Sequence, residues 1–571
     1  MEGNKLDISC KNNSEPTHSS YKPIPEKDME EQAVSRPKSL VKTKSNPEVD
    51  GADEKMLPED KPAEIIVNSE KSPQNGDAKL DIMEVKNAFV GLTKEELMKY
   101  ANDPFWVRLR WFLFITFWLL WAAMLIGAVL IIYAAPKCDP PPPRTWWQKG
   151  PLTKMQDIKM EIVKNLDENV QGVIIPWPVD NYEPIDEKSG VVEAINAVKK
   201  KGANVIIELQ PAISNVWFNK SENKDPAFID YYIWRAGTNQ VGSLMAPPNN
   251  WVSQKNVSSW KYSEIRKEYY YSPFDKPHLN FRNREVVQEF TNVINKFLTL
   301  NVSGISLLNA EFLFIDSNFE NEDTINLHTT VGHTQYAFYK HTKTENLPEV
   351  GELLKQWRSV IRNSTENGPL MVSNEVNSIE SYKVNDSLVI DLPLKSNVFS
   401  KPTFIVSEAG NTLNYTFNID NIEWPLWEAK SEVIPKDALN ILTYLLPGAP
   451  LINVDEKIDP LLLKIRDSPS IMRGICGVYS LVNETVLAFF RVTPGSPGIF
   501  VALNPGNEVS TINIPKEIPP LAKLEEVTVR YYSKNYNETE FLDIGVKQKA
   551  TAVPVSPKSA VVLEYVPKRE E

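Results

Sequence analysis

Few residues in the chain have the chemistry for covalent or metal work, and their spacing narrows them further. Three cysteines occur in 571 residues, Cys10, Cys138 and Cys476. That is too few for a disulfide framework or a cysteine-rich zinc site. The five histidines, His18, His278, His328, His333 and His341, show no HExxH spacing, and His328 and His333, five apart in a polar stretch, read as surface residues. The pattern implies no metal and no cofactor. Cys138 is distinguished by place, because it follows the end of a long apolar run by three residues. In an oxidising compartment an odd cysteine there suggests an intermolecular disulfide. The alternatives are a free thiol or a palmitoylated one, the latter requiring a cytosolic side. Cys476, within MRGICGVY, reads as a buried small hydrophobe, and Cys10 as a free thiol in a polar tail.

N-glycosylation acceptors of the N-x-[ST] type begin at Asn219, Asn256, Asn301, Asn363, Asn385, Asn414, Asn483 and Asn537, with one more at Asn12. The eight all follow the apolar run. That run, Trp111 to Ala135, holds 25 residues without a charge. At a rise of ~1.5 Å per residue it exceeds the ~30 Å hydrocarbon thickness, so it reads as a transmembrane helix with room to tilt. Ala123 and Gly127 place two small residues four apart within it, a spacing that lets another helix backbone approach. Lys99, Arg108 and Arg110 precede the run and Lys137, Arg144 and Lys149 follow it, so the positive-inside count is tied. Orientation then rests on the flanks: an uncleaved signal-anchor before a large, sequon-bearing folded part favours the N-terminus in the cytosol and the C-terminal part outside.

The flanks differ sharply. Residues 1–85 are rich in Lys, Glu, Ser, Pro and Asp and poor in aromatics, so they bury too little apolar area to offset chain entropy. They read as a disordered cytosolic tail. Residues 86–110 read as a juxtamembrane helix capped by Thr93 with Glu96 and ended at Asn102-Asp103-Pro104. Residues 111–135 are the transmembrane helix, and 136–145, with four prolines from Pro140 to Pro143, a stiff proline-rich neck. Beyond it short apolar runs (171–176, 203–209, 302–308, 370–376, 387–394, 449–454) alternate with helical patterns such as 191–201 and 284–300. That alternation predicts a parallel sheet buried on both faces, and its length a closed (β/α)8 TIM barrel over 146–465. From about Pro469 hairpin-like runs predict an antiparallel β-domain over 466–571. The net charge of -12 argues against general nucleic-acid binding.

The segments VIIELQPAISNVWF, DPAFIDYYIWRAG, PPNNW, PHLNFRNREVV and LLPGAPLINVDEKI resemble α-glucosidases of the α-amylase superfamily, over about 146–568. SPSIMRG, NETVLAFFR and VALNPGNE resemble its C-terminal β-domain C. The stretch FVGLTKEELMKYANDPFWVRLRW, running through the apolar segment to APKC, resembles more narrowly the heavy chains of heteromeric amino-acid transporters, among them the 4F2 antigen heavy chain and rBAT. A B-domain-like insert at about 212–277 is similar to one the glucosidases and rBAT share. The resemblance implies that Cys138 bonds a transporter light chain.

The resemblance also identifies where catalysis would sit, and those positions depart from the pattern. Retaining glycoside hydrolysis needs two carboxyl groups about 5 Å apart, one as nucleophile and one as acid/base. The superfamily's GFRxD falls on Gly304 to Leu308, with Ser306 for the arginine and Leu308 for the nucleophile. Its Asp-x-x-Pro-Asn-His falls on Glu208 to Ile213, so Ile213 replaces the histidine. Its late Asn-His-Asp falls on Glu428 to Lys430, so Lys430 replaces the acid. The acid/base position falls on Asn374 or Glu375. One surviving carboxyl does not support double displacement, so the expected chain is a non-enzymatic, glycosidase-like pseudoenzyme.

The function expected is that of a heavy-chain subunit that binds, stabilises and delivers a multi-span amino-acid transporter to the plasma membrane, through Cys138, transmembrane contacts and membrane lipid. A cell-surface adhesion or receptor module, or a membrane-anchored α-glucosidase, are the rival expectations. Topology is checked by glycosidase treatment of the expressed chain, which should collapse a heterogeneous band towards the 64.8 kDa polypeptide and leave Asn12 unmodified. Glycan on Asn12, or on none of the eight downstream acceptors, reverses the orientation.

Overall fold

The computed structural model describes residues 94–134, 142–156, 158, 160–177, 190–211, 216–241, 244–325, 331–539 and 543–568. They belong to two compact units that divide at Pro136. Thr93, Cys138 and Ile213 lie outside the described residues, as do residues 1–85 and, in the proline run, Pro140 and Pro141.

The first unit holds two helices, α1 (Lys94–Ala101) and α2 (Pro104–Ala134). Pro104 both closes the first and opens the second. Asp103 caps the new start by accepting a hydrogen bond from Phe105 N at 3.0 Å, and proline at the first helical position forfeits no bond. Phe105 to Arg110, expected in a separate juxtamembrane helix, are therefore the first turns of α2 itself. Arg110 reaches back to the Ala101 carbonyl at 3.0 Å. α2 has 31 residues and none of them is buried. Among the described residues it is the helix long and apolar enough to cross a membrane.

The second unit is built on eight parallel strands: β1 (Leu152–Lys154), β2 (Gly172–Pro176), β3 (Asn204–Leu209), β4 (Gly304–Leu307), β5 (Leu370–Val372), β6 (Leu394–Lys395), β7 (Leu426–Glu428) and β8 (Ala449–Ile452). They follow one another in chain order and β8 pairs β1, so the sheet curls into a barrel. β5 and β6 are not joined by a ladder; two backbone bonds close that seam, Asp391 N to Leu370 O at 2.7 Å and Val376 N to Leu394 O at 3.2 Å. The Asp391 side chain strengthens the closure. It accepts from Leu370 N at 3.1 Å and from Arg358 and Arg362 at 2.6 and 3.1 Å. The run 387–394, expected as one barrel strand, divides accordingly: Ser387–Leu388 pairs back on Lys383–Val384, and only Leu394 enters the barrel.

Helices pack outside. Arg284–Thr299 shows why they form: Asn283 caps it, accepting from Glu285 N at 2.9 Å, and Val286, Phe290, Val293, Ile294 and Phe297 make one buried stripe. Between β5 and β6 the described chain makes a 3-10 turn, Glu380–Tyr382, in place of a helix. Gly304 opens β4 where a side chain has no room, since a Cβ there would lie 2.7 Å from Pro369 Cδ. The insert after β3 carries a small antiparallel sheet, including Trp260–Ser263 and Glu268–Tyr271, with Trp251 stacked on Trp260 at 5.6 Å.

The C-terminal sheet has six antiparallel strands in the order Ile475–Leu481, Val486–Val492, Gly498–Asn504, Ser559–Tyr565, Glu526–Tyr532, Lys547–Lys549. Both faces of its centre are buried. Leu487, Phe489 and Val501 join the barrel's core, whereas Val486, Ala488, Phe490 and Phe500 join a second core behind the sheet. Two arginines, each 1% exposed, tie the sheet and the barrel's entry to β8. Arg466 donates to the carbonyls of Lys149 and Gly448, both at 2.7 Å, and to that of Tyr444. Arg491 donates to Ile471 at 2.5 Å, Gly474 at 3.0 Å and Leu445 at 3.2 Å. Among the described residues neither forms an ion pair with a carboxylate, and burial pushes their guanidinium pKa values down to about 9 and about 10.

Candidate functional site

In a parallel barrel the carboxyl ends of all strands open on one mouth, and chemistry carried by a barrel of this kind is placed there. At the end of β3, Glu208 is 7% exposed and forms an ion pair with Lys154 of β1 at 2.5 Å. On β4, Ser306 is fully buried and its hydroxyl shares a 2.7 Å hydrogen bond with Ser373, just past β5. Leu308 follows β4, half-buried, its N–H donating to Leu209 O at 2.9 Å. Asn309, in the left-handed region at φ 58°, and Asn374 bond each other twice: Asn309 N to Asn374 Oδ1 at 2.8 Å and Asn374 Nδ2 to Asn309 Oδ1 at 2.9 Å.

Glu375 is turned aside. Its Oε2 accepts from Ser396 N at 2.5 Å, Ser396 Oγ at 2.8 Å and Asn397 N at 3.3 Å, so it holds the turn after β6. Lys395, 8% exposed, donates to Val376 O at 2.8 Å and lies 3.5 Å from Asp420 Oδ2. Glu428 at the end of β7 is paired with Lys430 at 2.6 Å. A cavity of about 450 Å³ opens beside these residues, lined by Lys401, Lys430, Lys436, Ser431 and Asn453 among others. Its lysines are each matched to a glutamate: Lys401 to Glu408 at 3.0 Å, Lys430 to Glu428, and Lys436 to Glu456 at 2.8 Å.

The positions singled out in the sequence thus converge. Ser306 and Leu308 on and after β4 and Asn374 and Glu375 after β5 lie on adjacent strands, and Lys430 follows β7. Lys154, Lys395 and Asn309 complete the mouth and were missed, because a lysine in LTK or in LPLK carries no motif and becomes notable only through its partner. Among the described residues no group of three acids, histidines or cysteines has metal-ligand spacing. Ala123 and Gly127 lie one turn apart on α2, where a Cβ on Gly127 would meet nothing within 4 Å. Of the acceptor asparagines, Asn219, Asn256, Asn301, Asn363, Asn385 and Asn483 are exposed. Asn414 is half-buried, with its amide nitrogen 3.4 Å from Val478 O, and the side chain of Asn537 lies outside the described residues.

Comparison with known proteins follows the same division. Residues 77–153 match the family model described as the Solute carrier family 3 member 2 N-terminus, and residues 176–396 match that of the alpha amylase catalytic domain. The amino acid transporter heavy chain SLC3A1 of Mus musculus is 27% identical over 435 residues, which are 65% of this chain and 61% of that relative's length. The salivary alpha-glucosidase of Aedes aegypti is 31% identical over 198 residues, 32% of this chain and 34% of the enzyme. The crystal structure of an alpha-glucosyl transfer enzyme, XgtA, superposes with a TM-score of 0.60 at 15% identity, covering 74% of this chain and 100% of the other. That likeness is one of fold.

The geometry at Glu375 separates a structural carboxylate from a catalytic one. A catalytic carboxylate is held against its own stability preference, and replacing it is often neutral or stabilising. Glu375→Ala should instead destabilise the chain by about 2 kcal/mol, through three lost charge-assisted hydrogen bonds, measured by denaturant unfolding. An unchanged or raised midpoint would assign Glu375 to a different role.

Proposed function

We propose, on the premise that the chain is kin to the amino acid transporter heavy chains in both its N-terminal segment and its barrel, that it serves as a non-catalytic heavy-chain subunit. It binds a multi-span amino-acid transporter, stabilises it and accompanies it to the plasma membrane, with its N-terminus cytosolic and its barrel outside. The observation that carries this reading is the match over residues 77–153, which takes in α1, α2 and Cys138 together. A single helix makes no transport pathway alone, because transporter sites are built between several helices. The pathway therefore belongs to a partner.

The α-glucosidase likeness favours a second reading, an anchored hydrolase, and the mouth of the barrel speaks against it. Leu308 supplies no nucleophile. Glu375 is engaged by Ser396 and Asn397, and Glu208 by Lys154. Among the described residues on which the superfamily motifs fall, none then presents a free carboxyl to attack an anomeric carbon or protonate a leaving oxygen. The purified chain should hydrolyse no maltose-type α-glucoside above a no-protein blank.

Cys138 stands three residues beyond Ala135, at the end of the apolar run. A partner loop at the same membrane depth could present a second cysteine within the short Cα–Cα reach a disulfide requires. The bond would raise the effective concentration of the two chains for each other, while helix and ectodomain contacts supply affinity of their own. Cys138→Ser should abolish a high-mass band on non-reducing gels and only partly reduce surface delivery and amino-acid uptake. Persistence of the band in that variant, together with its loss in Cys476→Ser, would contradict the assignment.

A further inference from the structure

Directly after β4 and on the return that follows it, three carboxyl groups share a buried space, and of them Glu322 alone lies near a cation, Lys343. Glu311 stands on the 3-10 turn Ala310–Phe312, directly after β4, and Glu322 and Glu345 on the long return that leads to the helix Glu349–Ser364. Glu322 is 4% exposed; its Oε1 accepts from Lys343 N and Thr344 Oγ1, both at 2.9 Å, but its Oε2 is buried without a partner. Glu311 Oε2 and Glu345 Oε1 are likewise buried and unpartnered. An unpaired buried carboxylate is costly enough that such groups take up a proton instead.

Among the described groups packed around them, the positive charge that reaches the set is that of Lys343 on Glu322. Lys343 directs its ammonium to Glu320 at 2.5 Å, with Asp316 and Asp323 also near it. Tyr271, from the insert strand Glu268–Tyr271, and Tyr382, from the turn Glu380–Tyr382, both face the glutamates and are held as neutral phenols by burial and by those acids. His278 packs against Tyr271 at 5.9 Å and His341 stacks on Tyr336 at 3.6 Å. Burial pushes both imidazoles down to about 4, so neither brings positive charge near neutrality.

We propose that Glu311, Glu322 and Glu345 form a proton-operated latch: protonated, they let the described stretches 310–325 and 331–348 after β4 lie clamped against the insert and the Glu380–Tyr382 turn, and loss of the protons loosens them. The direction follows from burial. It raises Glu311 to about 7, and burial with the charges of Glu311 and Glu322 raises Glu345 to about 8, from an ordinary value of 4.5. The folded form binds these protons more tightly than the unfolded one. The stability they contribute is full below about pH 4.5 and is lost as pH rises through about 7 to 8. The carboxyls titrate as a coupled set, so the release is shared among them.

Native-state hydrogen exchange on the full-length chain in detergent tests this at about pH 6 and about pH 8.5, after correction for intrinsic exchange. Opening of the segment 310–348 should rise by about ten-fold per pH unit for each proton released. Peptides of the C-terminal sheet should not change. Glu345→Gln, which mimics the protonated acid, should remove most of the rise. Equal protection of 310–348 at both pH values in the unmodified chain, or a rise that survives in both Glu345→Gln and Glu311→Gln, would overturn the latch. Should those variants fail to fold, infrared difference spectra of the unmodified chain decide: a protonated-carboxyl band lost over this range supports the proposal, and its absence at the acid end refutes it.

Discussion

A closed parallel barrel brings the ends of its strands to one mouth, and every charge placed there must find a partner. In a hydrolase, substrate and water complete some of those pairs. Here the chain completes them itself: Lys154 with Glu208, Glu428 with Lys430, Ser306 with Ser373, Asn309 with Asn374, and Glu375 with the turn at Ser396. The consequence is energetic as well as chemical. Matched groups rigidify the mouth, whereas unmatched ones would cost stability for the sake of reactivity.

The same demand for partners explains the joints elsewhere. The β5–β6 seam, which lacks a ladder, is closed by Asp391, whose charge is answered by Arg358 and Arg362. Arg466 and Arg491 form no ion pair among the described residues and are instead ringed by carbonyl oxygens. They bind the barrel's first turn, β8 and the C-terminal sheet into one body. The acids after β4 are the exception, each with a buried oxygen that no described donor reaches.

Much of this was legible in the sequence wherever one element carried a long pattern. The uncharged run ending at Ala135, the stripe through Val286 to Phe297, and the apolar strands around Ile174, Ile206 and Ile305 announce themselves by period and length. β1, as LTK, and β7, as LWE, did not, because three residues hold no periodicity. The run SLVIDLPL misled for a physical reason: its aspartate is a buried bridge and its proline separates two different pairings. At the mouth, Leu308 and Lys430 stood out as departures from a motif, which resemblance alone made readable. Lys154 and Lys395 are set by contacts between strands far apart in the chain, and no local pattern encodes them.

The central claim is that the chain acts through a partner and not through its barrel mouth. It is tested most directly by removing the chain from cells that express it and measuring amino-acid uptake together with the surface level of the associated multi-span transporter. The account predicts that both fall, and that re-expression of a chain carrying Leu308→Ala restores them. Unchanged uptake and unchanged surface transporter would contradict it.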